Sequence, residues 1–247
     1  MLDGPRFLQI IGLSVGFFLT LVAWRSKGEP LAPAAYRLLF AAPLIFVGGK
    51  AWYLLENRLP PTVPHLVGPG YGLFGSVLLV LLGWVLWQRW EPFPLLKFLD
   101  CVTPAAAAGL IFGRWSCFLR GCCTGLPTGG DWGVRLDPTA LLYAEYVRRG
   151  WLDGVLDRTV LLHPTQLYAA AFAAVAFVLL WYFLRRNPPE GQIFLSGVLA
   201  YGLFRLIEEN VRLHAVQATT IGPLYPSQWL SLAAAVLALT ALWIRRQ

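Results

Sequence analysis

The sequence predicts an all-α integral membrane protein with about seven transmembrane helices and a small extracytoplasmic head. Of its 247 residues, 57% are hydrophobic and only 13% are charged, which is about half the charged fraction of an ordinary soluble domain. The apolar residues form runs of about twenty, the length that a helix needs to cross a bilayer. These runs lack two-residue alternation, which excludes a membrane barrel.

The apolar segments divide the chain into spans and connections. They lie near 7–24, 37–55, 67–87, 96–113, 164–184, 191–208 and 226–244. We treat residues 1–247 as a single transmembrane domain, with the head at 114–163 inserted between spans four and five. The first segment has no clear small-residue cleavage site, so we interpret it as a span rather than a removed signal.

Basic residues predict the orientation of the spans. Because an odd span count places the termini on opposite sides, the flanks fall into two sets, and one set is richer in Lys and Arg. By the positive-inside rule this set is cytoplasmic, with the head outside; it comprises Arg25, Lys27, Arg37, Arg89, Lys97, Arg185, Arg186, Arg245 and Arg246. The net charge of +7 therefore needs no nucleic-acid partner, and no basic run interleaved with aromatic residues indicates one.

The end of the fourth span carries the first candidate site. Residues 113–125 read GRWSCFLRGCCTG and follow directly on an apolar run. Hydrocarbon cannot solvate Arg114, so an arginine here needs a partner, and the glycines allow close backbone approach. The stretch indicates a cavity-lining site. The alternative is a snorkelling arginine with cysteines that only pack.

Two later helix starts resemble each other, His163-Pro164-Thr165-Gln166-Leu167-Tyr168 and Tyr225-Pro226-Ser227-Gln228-Trp229-Leu230. Proline favours the first helical position, and free N–H groups at helix N-termini can hold an anion. The alternative is that each is simply a good helix start. His163 is also the best nearby general base.

A third motif places Arg205, Glu209 and Arg212 at i, i+4 and i+7 on one helix face. These residues could form a structural ion-pair ladder, or Arg205 could join Arg114 as a phosphate clamp at the same membrane surface. The guanidinium fork matches phosphate geometry. Because phospholipids supply most phosphate in a bilayer, the residues predict an outer-leaflet phospholipid-binding protein with possible transferase chemistry.

Taken in order, these motifs resemble the prolipoprotein diacylglyceryl transferase family over nearly the whole chain. The strongest marks are Gly113-Arg114 with Gly121 and Gly125, the segment 163–168, Tyr201-Gly202 with Arg205, Glu209 and Arg212, and the segment 227–231; weaker marks are Lys50 with Tyr53 and Asp100 with Pro104. Each motif is short, but all of them in this order on seven spans are specific.

The resemblance implies an enzyme of the bacterial inner membrane with its active site toward the periplasm. It would transfer the diacylglyceryl group from phosphatidylglycerol to the lipobox cysteine thiol of a preprolipoprotein, releasing glycerol phosphate, with no metal or soluble cofactor. Arg114 and Arg205 would neutralise the phosphate, His163 would assist the thiol, and Glu209 would orient Arg205 or His163. Further substrate-binding positions would be Gly113, Gly125, Gln166, Tyr168, Arg212, Ser227, Gln228 and Lys50.

The chain also departs from the family pattern. Cys117 and Cys122 stand where family members commonly show Asn and Glu, and Gly70-Tyr71-Gly72 stands where His-Gly-Gly is common. We expect the cysteines to be packing groups, with a disulfide or a metal site as alternatives. The departures leave two other functions open: a related phospholipid-dependent transferase with another acceptor, and a non-catalytic lipid-binding or transport protein.

Overall fold

A computed structural model describes residues 3–68, 70–153, 158–214 and 220–245; Arg246 of the predicted cytoplasmic flank lies outside these ranges. The described residues form mostly helix. The helices are α1 (Gly4–Ser26), α2 (Leu31–Glu56), α3 (Val63–Val67), α4 (Leu73–Trp87), α5 (Leu95–Arg120), α6 (Tyr143–Arg148), α7 (Thr165–Leu184), α8 (Gln192–Glu208) and α9 (Pro226–Ile244). An antiparallel pair, β1 (Leu152–Asp153) and β2 (Arg158–Thr159), lies in the head.

The prediction of an all-α membrane protein is confirmed, and seven helices coincide with the seven predicted spans. Five of them, α1, α2, α5, α7 and α9, are long and apolar enough to cross a membrane. Helices α4 and α8 are shorter, with 15 and 17 residues. At 1.5 Å per residue they extend about 23 and 26 Å, against a hydrocarbon thickness of about 30 Å.

Three predicted boundaries differ from the helices by six or seven residues. The second predicted span, 37–55, begins earlier, with α2 at Leu31, so Arg37 lies within this helix and not in a flank. The third predicted span, 67–87, is interrupted before α4, and Gly70 in the break has a φ of 104°. The fourth, 96–113, continues as helix to Arg120 and ends at Gly121, whose left-handed φ of 61° stops it. Residues 114–120 are therefore two further turns of α5, and the head begins only at Gly121.

Helix α5 is the centre of the bundle and packs against α1, α7 and α8. Its contact with α1 is backbone to backbone. A Cβ added at Gly12 would lie 2.7 Å from the Gly109 carbonyl oxygen, and one added at Gly16 would lie 3.4 Å from that of Ala105. Small residues on both helices therefore allow the close approach that membrane helices use in place of a hydrophobic driving force.

The two ends of the bundle differ in chemistry. At one end, Trp24 and Phe98 pack edge to face in an apolar core, and predicted cytoplasmic flanks meet there. Lys27 Nζ donates to the Leu184 carbonyl at 2.9 Å, and Lys97 pairs with Glu29. The C-termini of α5 and α8 and the N-termini of α7 and α9 lie at the opposite end, where the candidate site residues are concentrated.

The head has its own small core, formed by Leu136, Tyr146, Leu162 and Leu213. The short helix α6 contributes Tyr146 to this core. The Tyr146 hydroxyl donates to the Gly125 carbonyl at 2.7 Å. Because Gly125 lies five residues after the end of α5 at Arg120, the head core is anchored at the polar end of the bundle.

Candidate functional site

Gly125 is the point at which three of the sequence motifs meet. Its N–H donates to the His163 carbonyl at 2.9 Å, and its backbone forms an isolated antiparallel bridge with Arg212. A Cβ at this position would lie 2.5 Å from the Val211 carbonyl oxygen and 2.6 Å from the His163 Cβ. Only glycine permits this crossing. Gly125 thus acts through the backbone and joins the ends of α5 and α8 to the start of α7.

We expect Gly125→Ala to lower the thermal midpoint of the purified protein substantially, because backbone atoms on two sides must move to admit the methyl group. Gly113→Ala is the matched control, since a Cβ there meets nothing within 4 Å. Thermal unfolding in detergent, followed by tryptophan fluorescence, measures both. Equal midpoints for the two variants would contradict the assigned role of Gly125.

Arg205 is held by two carboxylates. It forms salt bridges with Glu208 and Glu209, and the side chains of all three are at most 8% exposed. The Ser227 hydroxyl at the start of α9 donates to Glu209 Oε1 at 3.0 Å. The predicted site residues Arg205, Glu209 and Ser227 are therefore neighbours. Sequence reasoning missed Glu208, although its i+3 spacing from Arg205 was a usable signal.

Arg114 is the arginine that remains available. It is 9% exposed, and its Nε has no hydrogen-bond partner among the described residues. Within those residues, neither Arg114 nor Arg212 has a carboxylate within salt-bridge distance, although Glu208 acts electrostatically on both. Of the predicted pair, Arg205 therefore has two carboxylate partners, whereas Arg114, like Arg212, has none within salt-bridge distance in the described part of the chain.

Arg212 is well placed to stay charged. Burial acts to lower its pKa, but nearby Cys123, Glu209 and Glu208 raise the pKa above its ordinary value. Tyr201 on α8 acts electrostatically on both Arg114 and Arg212. Helix α5 and the segment that follows α8 therefore bring two cations to one place, which can bind an anion such as a phosphate.

His163 and Glu209 do not meet as the sequence suggested they could. The His163 ring lies edge-on to Trp132 at 5.0 Å between centroids, and its Nδ1 lies 3.2 Å from the Tyr168 hydroxyl. The histidine near Glu209 is instead His214, with Nδ1 3.7 Å from Glu209 Oε1. Burial lowers the pKa of His214, although Glu209 acts in the opposite direction.

Three other predicted binding residues have clear backbone partners. Gln166 is fully buried and donates from Nε2 to the Cys122 carbonyl at 2.6 Å. Gln228 Oε1 accepts from the Tyr225 N–H at 3.0 Å, which caps α9. Lys50 is buried and donates to the carbonyls of residues 68 and 70 at 2.8 and 2.9 Å. Gln166 and Lys50 therefore hold loops, and Gln228 fixes the start of α9.

Sequence reasoning also missed Glu56. This carboxylate ends α2, accepts a hydrogen bond from Trp52, and is electrostatically coupled to Arg205, Glu209 and Arg212. A carboxylate at the end of an apolar segment was the only signal in the sequence. Its position adds α2 to the elements that surround the arginines.

The three cysteines of the motif lie together just beside these arginines. The sulfurs of Cys117, Cys122 and Cys123 all lie within 4.8 Å of one another. Hydrogen bonds from Cys117 and Cys122, together with Arg212 and Arg114, hold the pKa of the Cys123 thiol well below its usual range. The fourth cysteine, Cys101, lies in the apolar core at the other end.

Comparisons with known proteins agree on one family. A family model described as prolipoprotein diacylglyceryl transferase matches residues 7–244. Among proteins named phosphatidylglycerol–prolipoprotein diacylglyceryl transferase, one from Clostridium tetani is 32% identical over 67% of this chain and 63% of its own length. One from Xanthomonas campestris is 34% identical over 71% and 62%, and one from Bifidobacterium longum subsp. infantis is 25% identical over 92% and 75%. The alignments thus cover less than two thirds of the first two relatives.

Proposed function

The chain belongs to the prolipoprotein diacylglyceryl transferase family, and we propose that it transfers a diacylglyceryl group from phosphatidylglycerol to the lipobox cysteine thiol of preprolipoproteins. The names of its relatives state this donor and this acceptor. Its membrane-spanning helices place it among the lipids that supply the donor. We further propose that it resides in the bacterial inner membrane with its polar end toward the periplasm, where secreted preprolipoproteins emerge.

The observation that carries the proposal is Arg114, which is buried in α5 and has, among the residues that the structure describes, neither a hydrogen-bond partner for its Nε nor a carboxylate within salt-bridge distance. A buried charge without a protein partner is costly, and an anionic headgroup would remove that cost. Arg212 supplies a second guanidinium, and Arg205 is fixed by Glu208 and Glu209. The phosphate of phosphatidylglycerol would bind between Arg114 and Arg212.

In the proposed reaction the acceptor sulfur attacks the glyceryl carbon that carries the phosphate ester. A C–S bond forms as the C–O bond breaks, and the electron pair leaves on the phosphate oxygen of glycerol phosphate. The two guanidiniums stabilise the charge that develops on this leaving group. The thiol proton passes to a base, for which His163, near Tyr168 at the start of α7, is our candidate.

Complementation tests this function. We expect the gene to restore growth and lipoprotein modification, seen as a gel shift, in a bacterium depleted of its own transferase. With purified protein, we expect transfer from phosphatidylglycerol to a lipobox peptide containing Cys and none to the same peptide containing Ser. Binding of phosphatidylglycerol without transfer to either peptide would favour the lipid-binding alternative and contradict the proposal.

A further inference from the structure

The turn after α5 brings three cysteines to one point by a specific backbone geometry. Gly121 is left-handed, and the Cys122 N–H returns to the Cys117 carbonyl at 3.1 Å. Cys123 then has a φ of 59°, which is unusual for any residue except glycine. This strained turn places Cys122 and Cys123 back over the last turn of the helix, beside Cys117.

The distances suit three ligands of one metal ion. The sulfurs of the three thiols all lie within 4.8 Å of one another, and the Cys122 thiol also donates to the Cys117 carbonyl at 3.6 Å. Zinc–sulfur bonds of about 2.3 Å in a tetrahedral site separate the sulfurs by about 3.8 Å. For all three cysteines to bind one zinc ion, their sulfur atoms therefore need to move by about 1 Å or less. Among the described residues, no His, Asp or Glu joins this group.

A zinc ion bound by these three cysteines would keep one coordination position open. All three cysteines are only half-buried, so a fourth ligand can approach from outside the protein. A closed four-ligand arrangement is typical of structural zinc, whereas three protein ligands and an open position are typical of catalytic zinc.

The charges around the cluster also balance with a thiolate as the fourth ligand. The guanidiniums of Arg114 and Arg212 act electrostatically on Cys123. Four thiolates bound to a divalent cation carry a net charge of about −2, which the two arginines offset. The same two arginines would bind the phosphate of the donor lipid. The donor lipid and the acceptor thiol would therefore both bind beside these arginines.

We propose that Cys117, Cys122 and Cys123 bind a zinc ion and that the acceptor thiol of the substrate occupies its open position. This proposal deepens the proposed transferase function and rests on it. It replaces the packing role and the absence of a metal that the sequence suggested. Gln166 and Thr165, which donate to the carbonyls of Cys122 and Cys123, hold the ligand backbone and act as positioning residues.

The step needs no oxidant or reductant. On binding, the acceptor thiol loses its proton to a base, and its sulfur becomes a zinc-bound thiolate near neutral pH, whereas a free thiol has a pKa of about 8.5. That sulfur then forms the C–S bond with the glyceryl carbon as the C–O bond breaks. The electron pair leaves on the phosphate oxygen, and the zinc ion keeps its oxidation state.

Metal content is the first test. We expect wild-type protein purified without chelator to contain about one zinc per chain by elemental analysis. Cys122→Ser should reduce the zinc to background while the protein remains folded, as judged by thermal unfolding. Cys101→Ala is the matched control and should retain the zinc, because Cys101 lies in the apolar core. Absence of zinc from the wild type, or a disulfide among the three cysteines by mass spectrometry, would overturn the proposal.

Replacing the zinc with cobalt tests directly whether the acceptor thiol binds at the open coordination position. We expect cobalt-loaded protein to show thiolate-to-cobalt absorption that increases when a lipobox peptide containing Cys is added, and that does not change with the Ser peptide. An unchanged spectrum with both peptides would overturn the role of the acceptor. If zinc-free wild-type protein still transfers the lipid, the metal proposal is wrong and the transferase function stands. If zinc-loaded protein modifies no lipobox peptide, the transferase function is contradicted instead.

Discussion

Arg114→Lys should lower the rate of transfer from phosphatidylglycerol by about ten- to a hundredfold while the protein inserts and folds normally. Lysine keeps the charge but loses the fork that binds phosphate with two N–H groups. A hydrogen bond to a charged group contributes about 1.5–3 kcal/mol, and about 1.4 kcal/mol corresponds to a factor of ten in rate. Purified variants with phosphatidylglycerol and a lipobox peptide provide the measurement.

Arg25→Lys is the control for this experiment, because Arg25 is exposed at the opposite end of the bundle and should keep the wild-type rate. Arg212→Lys should resemble Arg114→Lys, since both guanidiniums lack a carboxylate partner among the described residues. Wild-type rates for both Arg114→Lys and Arg212→Lys would refute the phosphate clamp and leave these arginines with a structural role.

Arg205→Met should destabilise the protein far more than Arg114→Lys or Arg212→Lys. It leaves Glu208 and Glu209 as buried carboxylates without their cation. Removing one partner of a buried ion pair typically costs about 3–5 kcal/mol. We expect a clearly lower thermal midpoint and a reduced yield of folded protein from membranes.

Arg158→Met provides the comparison for Arg205→Met. Arg158 pairs with Asp137 in the head, and the two side chains are 52% and 58% exposed, so this pair should contribute about 0–1 kcal/mol. The triple variant Arg205→Met, Glu208→Gln, Glu209→Gln removes the uncompensated charges and should recover much of the thermal midpoint. If Arg205→Met and Arg158→Met unfold at the same temperature, the buried triad has no structural importance.

Some features of this protein were determined by the sequence alone. The apolar runs determined the seven helices, because whether a segment can cross a bilayer depends on its own length and hydropathy. The sequence also marked Arg114, Arg205 and Glu209, since an ionisable residue in an apolar segment requires a partner wherever the fold places it. The order of the motifs along the chain was enough to indicate the family.

Which residues pair with each arginine was decided only by the tertiary structure. Arg205 pairs with Glu208 and Glu209, whereas Arg212 lies close enough to Arg114 to act on it electrostatically. No local pattern could reveal this, because the choice depends on how α5 and α8 meet at the crossing through Gly125. The same holds for Cys117, Cys122 and Cys123. Their spacing was visible in the sequence, but the left-handed turn at Gly121 that brings their sulfurs together is a property of the folded chain.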